Sequence, residues 1–290
     1  MIGRRYPVAV TSPDVRRIPS TDGVEVAVHD MGGDGPPLVL VHATGFCAGV
    51  LRPMALNLGV SFHCFAIDVR GHGWSLTPEG LDFGWTGFSD DVLAAVEELG
   101  LRGAYGFGHS CGGAAVLDAE ARRPGTFRSL YVYEPIVWPT PPPPGSRDHL
   151  IEGALRRRDT FASRADARAN FARKRPFSGF SKAALDAYLG CAFVHEGGGD
   201  GVRLRCRREW EAAIYRQGMV HDGFARLPAV GCPVVVAAGD REEAMSRDVT
   251  DRQAAALPNG RVEIFPGLGH HGPMEVPPTV AASLARAFTS

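Results

Sequence analysis

The sequence lacks a long apolar segment. Its 290 residues contain no run of about 18 consecutive apolar residues, which is the length that a membrane-spanning helix needs. The opening segment MIGRRYPVAVTSPDVRR also contains no apolar run of signal-peptide length. We therefore expect a cytoplasmic protein that does not use a membrane as a partner.

The net charge is small, and motifs that bind cofactors are also missing from the sequence. The formal charge of −1 gives no reason to expect nucleic acid or an anionic membrane as a partner. The glycine-rich segments match neither the phosphate-binding loop G-x-x-x-x-G-K-[ST] nor the dinucleotide fingerprint, and no metal-ligand motif is present. We expect a small-molecule partner, no cofactor, no metal and no nucleic acid, and the sequence leaves the oligomeric state open.

The cysteines are few and widely spaced, and no Cys-x-x-Cys pair occurs among them. In a chain of this length, such a pattern is typical of buried thiols in a reducing compartment rather than of a disulfide framework. The six are Cys47, Cys64, Cys111, Cys191, Cys206 and Cys232.

Apolar runs alternate with helix-like segments over most of the chain, which predicts an α/β fold with a mostly parallel sheet flanked by helices. Two segments around the turn Thr21-Asp22-Gly23 predict an antiparallel hairpin at the edge of that sheet. The predicted strands are 16–18, 24–30, 37–41, 62–68, 104–107, 130–133, 233–238 and 262–265. The predicted helices between them are 50–58, 90–99, 113–122, 247–257 and 279–288.

This alternation stops after the proline-rich segment 139–145 and resumes near residue 227. The intervening part is helix-like and basic: residues 146–226 hold 16 of the 31 lysines and arginines. Its predicted helices are 147–161, 165–174, 182–193 and 208–216. We predict a core made of residues 1–137 and 227–290, with a helical lid (cap) inserted at 138–226. The runs Arg156–Arg158 and Arg173–Arg175 are interpreted as solvated helix faces rather than as a phosphate or nucleic-acid site.

The segment Gly108-His109-Ser110-Cys111-Gly112 follows a predicted strand and precedes a predicted helix. This is the G-x-S-x-G nucleophile elbow in the context that it requires. A serine on such a tight turn has a strained backbone, so small neighbours are needed two residues away on each side. The following helix directs its N-terminal N–H groups at developing negative charge. The motif therefore predicts Ser110 as a nucleophile.

Four segments of the chain resemble landmarks of the α/β-hydrolase family and follow one another in the family's order. The resemblance covers roughly residues 24–288. The resemblance rests on the elbow and on three further landmarks, which are the segments 42–46 (HATGF), 68–75 (DVRGHGWS) and 269–275 (GHHGPME). It implies the α/β-hydrolase fold with an inserted lid, and a serine, an acid and a histidine in that order along the chain.

A serine hydroxyl needs a base, and the resemblance implies His270, since the family's histidine directly follows the glycine of the last landmark. The adjacent His271 is the alternative. The N–H of the residue after the nucleophile, Cys111, supplies one oxyanion donor. The resemblance implies Thr44 for the second, although Ala43 departs from the common His-Gly start of that loop.

The acid has three candidates. The family usually supplies it after the strand 233–238, which places Glu242 or its neighbour Asp240 there. A minority of relatives instead supply a glutamate at the end of the preceding strand, 24 residues after the nucleophile, which here is Glu134. Burying an ionised glutamate is costly unless it is paired, and a histidine would pair it. We place Glu134 first, Glu242 second and Asp240 third.

Several aromatic side chains and one histidine are candidates for the wall of a substrate pocket beneath the lid. Packing between lid and core explains each of the aromatic residues equally well. The candidates are His109, Trp138, Phe161, Trp210 and Tyr215.

These residues together predict a hydrolase that cleaves a fairly apolar carboxylic ester or lactone through a serine acyl-enzyme. A carbon–carbon bond hydrolase or a cofactor-free perhydrolase would use the same triad. A ligand-binding, receptor-like protein of this fold is the alternative of another class. Dehalogenase and epoxide hydrolase activities are disfavoured because their nucleophile is aspartate, whereas position 110 is serine.

Overall fold

The computed structural model describes residues 15–289. The opening segment, on which the expectation of no signal peptide rests, lies mostly outside these residues. Within the described range, no helix is both long and apolar enough to cross a membrane.

Two sheets form, one of eight strands and one of three. In chain order the strands are β1 (Val15–Pro19), β2 (Glu25–Gly32), β3 (Pro37–Val41), β4 (His63–Asp68), β5 (Ala104–His109), β6 (Phe127–Tyr133), β7 (Thr160–Phe161), β8 (Phe193–His195), β9 (Val202–Leu204), β10 (Val234–Gly239) and β11 (Gly260–Phe265). The large sheet has the order β1-β2-β4-β3-β5-β6-β10-β11. Strand β2 is antiparallel to both of its neighbours, and all other pairs in this sheet are parallel.

Helices cover both faces of the large sheet. In chain order they are α1 (Arg52–Leu58), α2 (Thr86–Glu98), α3 (Cys111–Arg122), α4 (Asp148–Arg156), α5 (Arg164–Phe171), α6 (Lys182–Cys191), α7 (Arg208–Gln217), α8 (Gly223–Arg226), α9 (Arg247–Ala256), α10 (Gly272–Glu275) and α11 (Pro277–Thr289). Strand β3 shows why both faces are apolar. Leu38 and Leu40 join the core that contains α1 and α11, whereas Val39 and Val41 join the core that contains α2 and α3.

The predicted α/β-hydrolase fold is confirmed: a mostly parallel sheet of eight strands is flanked by helices and interrupted by an inserted helical region. The parallel strands direct their carboxyl ends to one edge, so the loops that follow β3, β5, β6 and β11 meet there. These loops carry the predicted site residues Thr44, Ser110, Glu134 and His270.

The inserted region, here called the insertion (α4 to α8, residues 148–226), contains less helix than the sequence predicts. The predicted helix 147–161 ends at Arg156, and Thr160–Phe161 forms β7 instead. The predicted helix 182–193 ends at Cys191, and β8 begins at Phe193. Strands β8 and β9 form a hairpin around the glycine-rich segment 197–201, and β7 pairs with β9 on its other side.

The expectation that all cysteines are thiols is wrong for one pair. Cys47 and Cys191 form a disulfide that closes a separation of 144 residues, and their Cα atoms are 6.6 Å apart. The pair meets because α6 packs against the 3₁₀ helix Ala48–Leu51, which directly follows Cys47. No local pattern in the sequence indicates this contact. The other four cysteines are free.

Candidate active site

Ser110 lies on the sharp turn between β5 and α3. Its backbone has φ 54° and ψ −114°, and its N–H donates to the Tyr133 carbonyl oxygen at 3.0 Å. A Cβ on Gly108 would lie 2.4 Å from the Gly112 carbonyl oxygen, and a Cβ on Gly112 would lie 2.3 Å from the Val41 carbonyl oxygen. Since both distances are shorter than real Cβ contacts, this turn requires glycine at both positions.

A cavity of about 300 Å³ opens above this turn. Ser110 and His270 both line it, and the loop after β3 contributes residues 43–46. The insertion and the segment that precedes it supply much of the remaining wall, including Trp138, Phe177 and Tyr215. The candidate nucleophile therefore faces a cavity between the core and the insertion.

His270 lies in the loop after β11, and its Nδ1 is 2.7 Å from Glu134 Oε2. The loop is held by two further hydrogen bonds, one from the Tyr133 hydroxyl to the Gly269 carbonyl oxygen (2.9 Å) and one from His109 Nε2 to the His270 carbonyl oxygen (2.8 Å). Within the described residues, no hydrogen bond joins the Ser110 hydroxyl to His270. Such bonds commonly tighten only when substrate is bound.

Glu134 is fully buried directly after β6. Its N–H donates to the Ala237 carbonyl oxygen at 2.8 Å, and its Oε1 accepts the Gly239 N–H at 3.1 Å. Both carboxylate oxygens therefore have a partner, since Oε2 faces His270. A buried carboxylate is stable only with such partners.

The two other acid candidates lie elsewhere. Glu242 is exposed, and its Oε1 accepts the N–H of Arg247 at the start of α9 (3.0 Å). Asp240 is also exposed, and its Oδ1 accepts the Gly267 N–H at 2.8 Å. The structure brings Glu134 to His270 and engages Glu242 and Asp240 in local backbone hydrogen bonds.

Two main-chain N–H groups are available beside Ser110. Within residues 15–289, neither the Thr44 N–H nor the Cys111 N–H donates to a protein acceptor. Burial raises the pKa of the Cys111 thiol to about 12, so the thiol stays protonated at neutral pH. Cys111 thus offers its N–H rather than a thiolate.

His72 supports the loop that carries Thr44. Its Nε2 accepts the Gly45 N–H at 2.9 Å, and its Nδ1 lies 2.9 Å from the Arg70 carbonyl oxygen, to which it donates. Burial lowers the pKa of His72 to about 3, so the ring is neutral and keeps one donor and one acceptor. Buried Asp68 connects the same two loops, because it accepts the N–H groups of Ala48 (2.6 Å) and Trp74 (2.9 Å).

His271 lies on the cavity wall beside the rings of Phe46 and Phe180. Burial and the neighbouring His270 hold the pKa of His271 well below its usual range, and they do the same for His109. The carboxylate beside this pair of histidines faces His270 and not His271.

Two of the five predicted pocket residues, Trp138 and Tyr215, line the cavity. The other three do not. His109 is buried beneath His270, and Phe161 packs on Phe171 and Phe193 inside the insertion. Trp210 packs on Phe83 and beneath the Arg207 guanidinium. The prediction was wrong for Phe161 and Trp210 because aromatic content does not show which face of the insertion meets the cavity. It was wrong for His109 because its ring is buried against the main chain of the loop after β11.

The sequence missed four charged residues of the cavity wall, which are Arg147, Arg157, Glu211 and Glu243. Arg157 forms an ion pair with buried Glu211. Its side chain is 18% exposed, so the interpretation of 156–158 as a solvated face is wrong at this position. A salt-bridge partner 54 residues away leaves no local signal in the sequence.

No group of three histidine, cysteine or acidic side chains suited to a metal ion occurs in the part of the chain that the structure describes.

A profile described as "Alpha/beta hydrolase family" matches residues 38–283, which is most of the chain. The chain belongs to the alpha/beta hydrolase family. In this chain, three of the four landmark segments lie in loops at the carboxyl edge of the large sheet, and the fourth is the nucleophile elbow itself.

Two curated proteins show how broad the family's chemistry is. The chain is 24% identical over 285 residues to the bifunctional esterase/perhydrolase of Acinetobacter calcoaceticus, over 92% of this chain and 97% of that protein. It is 32% identical over 121 residues to the N-formylmaleamate deformylase of Pseudomonas putida. That match spans 41% of this chain and less than half (45%) of the deformylase.

Among solved structures, E-2-(acetamidomethylene)succinate hydrolase superposes with a TM-score of 0.80 at 21% identity, over 95% of this chain and 99% of that one. At this identity the likeness shows the fold alone.

Proposed function

We propose that this chain hydrolyses a small carboxylic ester or lactone through an acyl-enzyme on Ser110. The observation that carries the proposal is the 2.7 Å contact between His270 Nδ1 and Glu134 Oε2, in a cavity that Ser110 also lines. A histidine held by a carboxylate beside a serine on an elbow is the arrangement that activates a serine hydroxyl.

In the proposed reaction, the Ser110 oxygen attacks the carbonyl carbon while His270 Nε2 takes the hydroxyl proton. The N–H groups of Thr44 and Cys111 donate to the oxyanion of the tetrahedral intermediate. His270 then returns the proton to the leaving alkoxide, and the alcohol departs. Water, deprotonated by His270, attacks the carbonyl carbon of the acyl-enzyme, and His270 returns that proton to the Ser110 oxygen as the acid departs. Glu134 stays ionised throughout and keeps Nδ1 protonated.

The size of the cavity supports a small substrate. Its volume of about 300 Å³ lies at the lower end of the range for ligand pockets, about 300–1,000 Å³. The full-length similarity to an esterase/perhydrolase supports ester chemistry. It also favours perhydrolysis as a second candidate, in which hydrogen peroxide replaces water in the attack on the same acyl-enzyme.

The test is covalent labelling followed by kinetics. A fluorophosphonate should label the protein once, at Ser110, as read by mass spectrometry of its peptides. Ser110→Ala should abolish the label and lower ester turnover by about 10³-fold or more. Ser178→Ala is the matched control, since Ser178 is exposed beside Phe177 of the cavity wall. A Ser110→Ala protein that retains full turnover of p-nitrophenyl esters and lactones would contradict the proposal.

A further inference from the structure

The cavity wall contains one arginine without a carboxylate beside it. Arg157 is paired with Glu211. Glu243, which also lines the cavity, is paired with Arg175 (3.1 Å) and Arg241 (3.2 Å). For Arg147 no such pair exists: among residues 15–289, no carboxylate oxygen lies within 4.0 Å of its guanidinium. The charges of the wall are therefore balanced except at this residue.

The Arg147 guanidinium is fixed in position without being neutralised. Its Nη2 donates to the Ala244 carbonyl oxygen at 2.7 Å, and its central carbon lies 4.4 Å from the centre of the Trp138 ring. The contact with the Trp138 ring helps to hold the group in place. The Ala244 carbonyl oxygen is its single hydrogen-bond acceptor among the described residues, so most of its five N–H donors remain available.

Partial burial also makes this cation ready to receive an anion. Arg147 is half-buried, and the loss of water around it lowers its pKa. A desolvated guanidinium gains more from a counter-ion than one in water does. Its planar fork of donors matches the two oxygens of a carboxylate, which it binds through two parallel hydrogen bonds.

We propose that Arg147 binds a carboxylate of the substrate, so that the substrate is a carboxylate-bearing ester, such as a half-ester of a short dicarboxylic acid. The inference rests on the proposed ester hydrolysis at Ser110 and replaces the fairly apolar substrate that the sequence predicts with an anionic one. The free carboxylate sits at Arg147 while the ester carbonyl sits at Ser110, and both residues line the same small cavity.

A purely structural role for Arg147 makes a different prediction. In that case the residue only connects the start of α4 to the segment around Ala244, and its loss would impair neutral and anionic substrates to the same extent. A carboxylate subsite instead makes the loss depend on the charge of the substrate. The deciding quantity is the ratio of kcat/KM between an anionic ester and its neutral counterpart.

The kinetic test compares p-nitrophenyl hydrogen succinate, glutarate and adipate with the methyl esters of the same three compounds. The wild-type enzyme should favour at least one anionic ester by about 10- to 100-fold in kcat/KM, the range of a charge-assisted hydrogen bond. Arg147→Gln should remove most of that preference, and Arg147→Lys should retain part of it. Arg156→Gln is the matched control, because Arg156 lies at the end of the same helix, exposed and paired with Glu152. This control should keep the wild-type preference.

A binding test separates this inference from the proposed reaction. The Ser110→Ala variant is titrated by calorimetry with the monoethyl and the diethyl esters of succinate, glutarate and adipate. At least one monoethyl ester should bind about tenfold more tightly than its diester or better, and Ser110→Ala/Arg147→Gln should lose that difference.

The outcomes are distinguishable. Wild-type turnover of neutral and anionic esters at equal kcat/KM, or a charge preference that survives Arg147→Gln, overturns the carboxylate subsite and leaves ester hydrolysis standing. Charge-dependent binding through Arg147 without turnover of any of these esters supports the subsite and contradicts the proposed ester hydrolysis.

Discussion

Ser110 and Glu134 share an uncommon backbone conformation. Both have a positive φ, 54° and 42°, which is strained for residues with a side chain and costs about 1–3 kcal/mol each. Hydrogen bonds to neighbouring strands hold both residues, from Ser110 N–H to Tyr133 and from Glu134 N–H to Ala237. The large sheet therefore fixes these two positions, and substrate is not needed to form them.

At the residue scale the acid is the first prediction. Glu134→Gln should lower kcat by about 10²–10⁴-fold, because the amide keeps the shape but no longer stabilises the imidazolium of His270. Glu242→Gln should lower kcat less than tenfold, since Glu242 is exposed at the start of α9. Steady-state kinetics of the two variants on one ester measures both effects. The opposite ranking would assign the acid to Glu242, and two fully active variants would turn attention to Asp240.

His72 provides a second prediction, as a positioning residue for the loop after β3, which carries the proposed oxyanion donor Thr44 and is called the oxyanion loop below. His72→Leu removes the acceptor of the Gly45 N–H and should lower kcat by about tenfold or more, with a smaller change in KM. His72→Gln, which can again present an oxygen acceptor, should recover part of kcat. If His72→Leu raised KM at unchanged kcat, His72 would act on substrate binding and not on the oxyanion loop.

How far the site could be predicted depends on how local each signal is. Ser110 follows from a short motif whose glycines, Gly108 and Gly112, are required by close backbone contacts, and His270 follows from its place directly after Gly269 in the last landmark. Their catalytic roles stay predictions until they are tested. Arg147 gives no local signal, because its significance depends on which side chains the fold brings around it.

At the scale of elements, the predictability of a strand follows its length and burial. Strands β3 and β10 are continuous apolar runs that are buried on both faces, and the sequence predicted both. Strands β7, β8 and β9 have two or three residues each, too few to show a period of two. Two predicted helices of the insertion, 147–161 and 182–193, consequently run into strands β7 and β8.

The third prediction concerns the disulfide that joins the core to α6. Because Cys47 and Cys191 are bonded, the denatured protein should react with four equivalents of Ellman's reagent before reduction and six after it. Peptide mapping without reductant should recover the linked peptides of Cys47 and Cys191. Six reactive thiols in the unreduced, freshly purified protein would contradict the bond.

The same disulfide should also contribute to stability. Closing a long loop in the unfolded chain contributes about 2–4 kcal/mol. Cys47→Ser/Cys191→Ser should therefore lower the free energy of unfolding by about that amount, as measured by denaturant titration. Cys232→Ser is the control, since Cys232 is a free thiol.

At the scale of the whole molecule, the buried histidines couple stability to pH. Burial lowers the pKa of five of them, which are His42, His72, His109, His221 and His271. The folded protein keeps these rings neutral, whereas the unfolded chain protonates them below about pH 6.5. Their contribution to stability is therefore complete above pH 6.5 and is lost as the pH falls below it.

The buried carboxyl groups behave differently. Asp68 does not make stability depend on pH near neutrality, because its depressed pKa leaves it ionised in both the folded and the unfolded state. Asp91 and Glu211 act in the opposite direction, because burial raises the pKa of both carboxyl groups.

His271 allows this coupling to be measured for a single group. Its ring packs against Phe46 and Phe180, so phenylalanine is a fitting replacement for it. A histidine that stays neutral in the folded protein and has a pKa of 6.5 in the unfolded chain lowers the free energy of unfolding by about 1.4 kcal/mol when the pH falls from 7.5 to 5.5. On acidification over this interval, the free energy of unfolding should therefore fall by about 1.4 kcal/mol less for His271→Phe than for the wild type. Urea titration at both pH values measures this difference. His195→Phe, at an exposed histidine, should follow the wild-type dependence. If His271→Phe lost as much stability as the wild type on acidification, the folded protein would take up a proton at His271, and the neutral ring inferred for the cavity wall would be wrong.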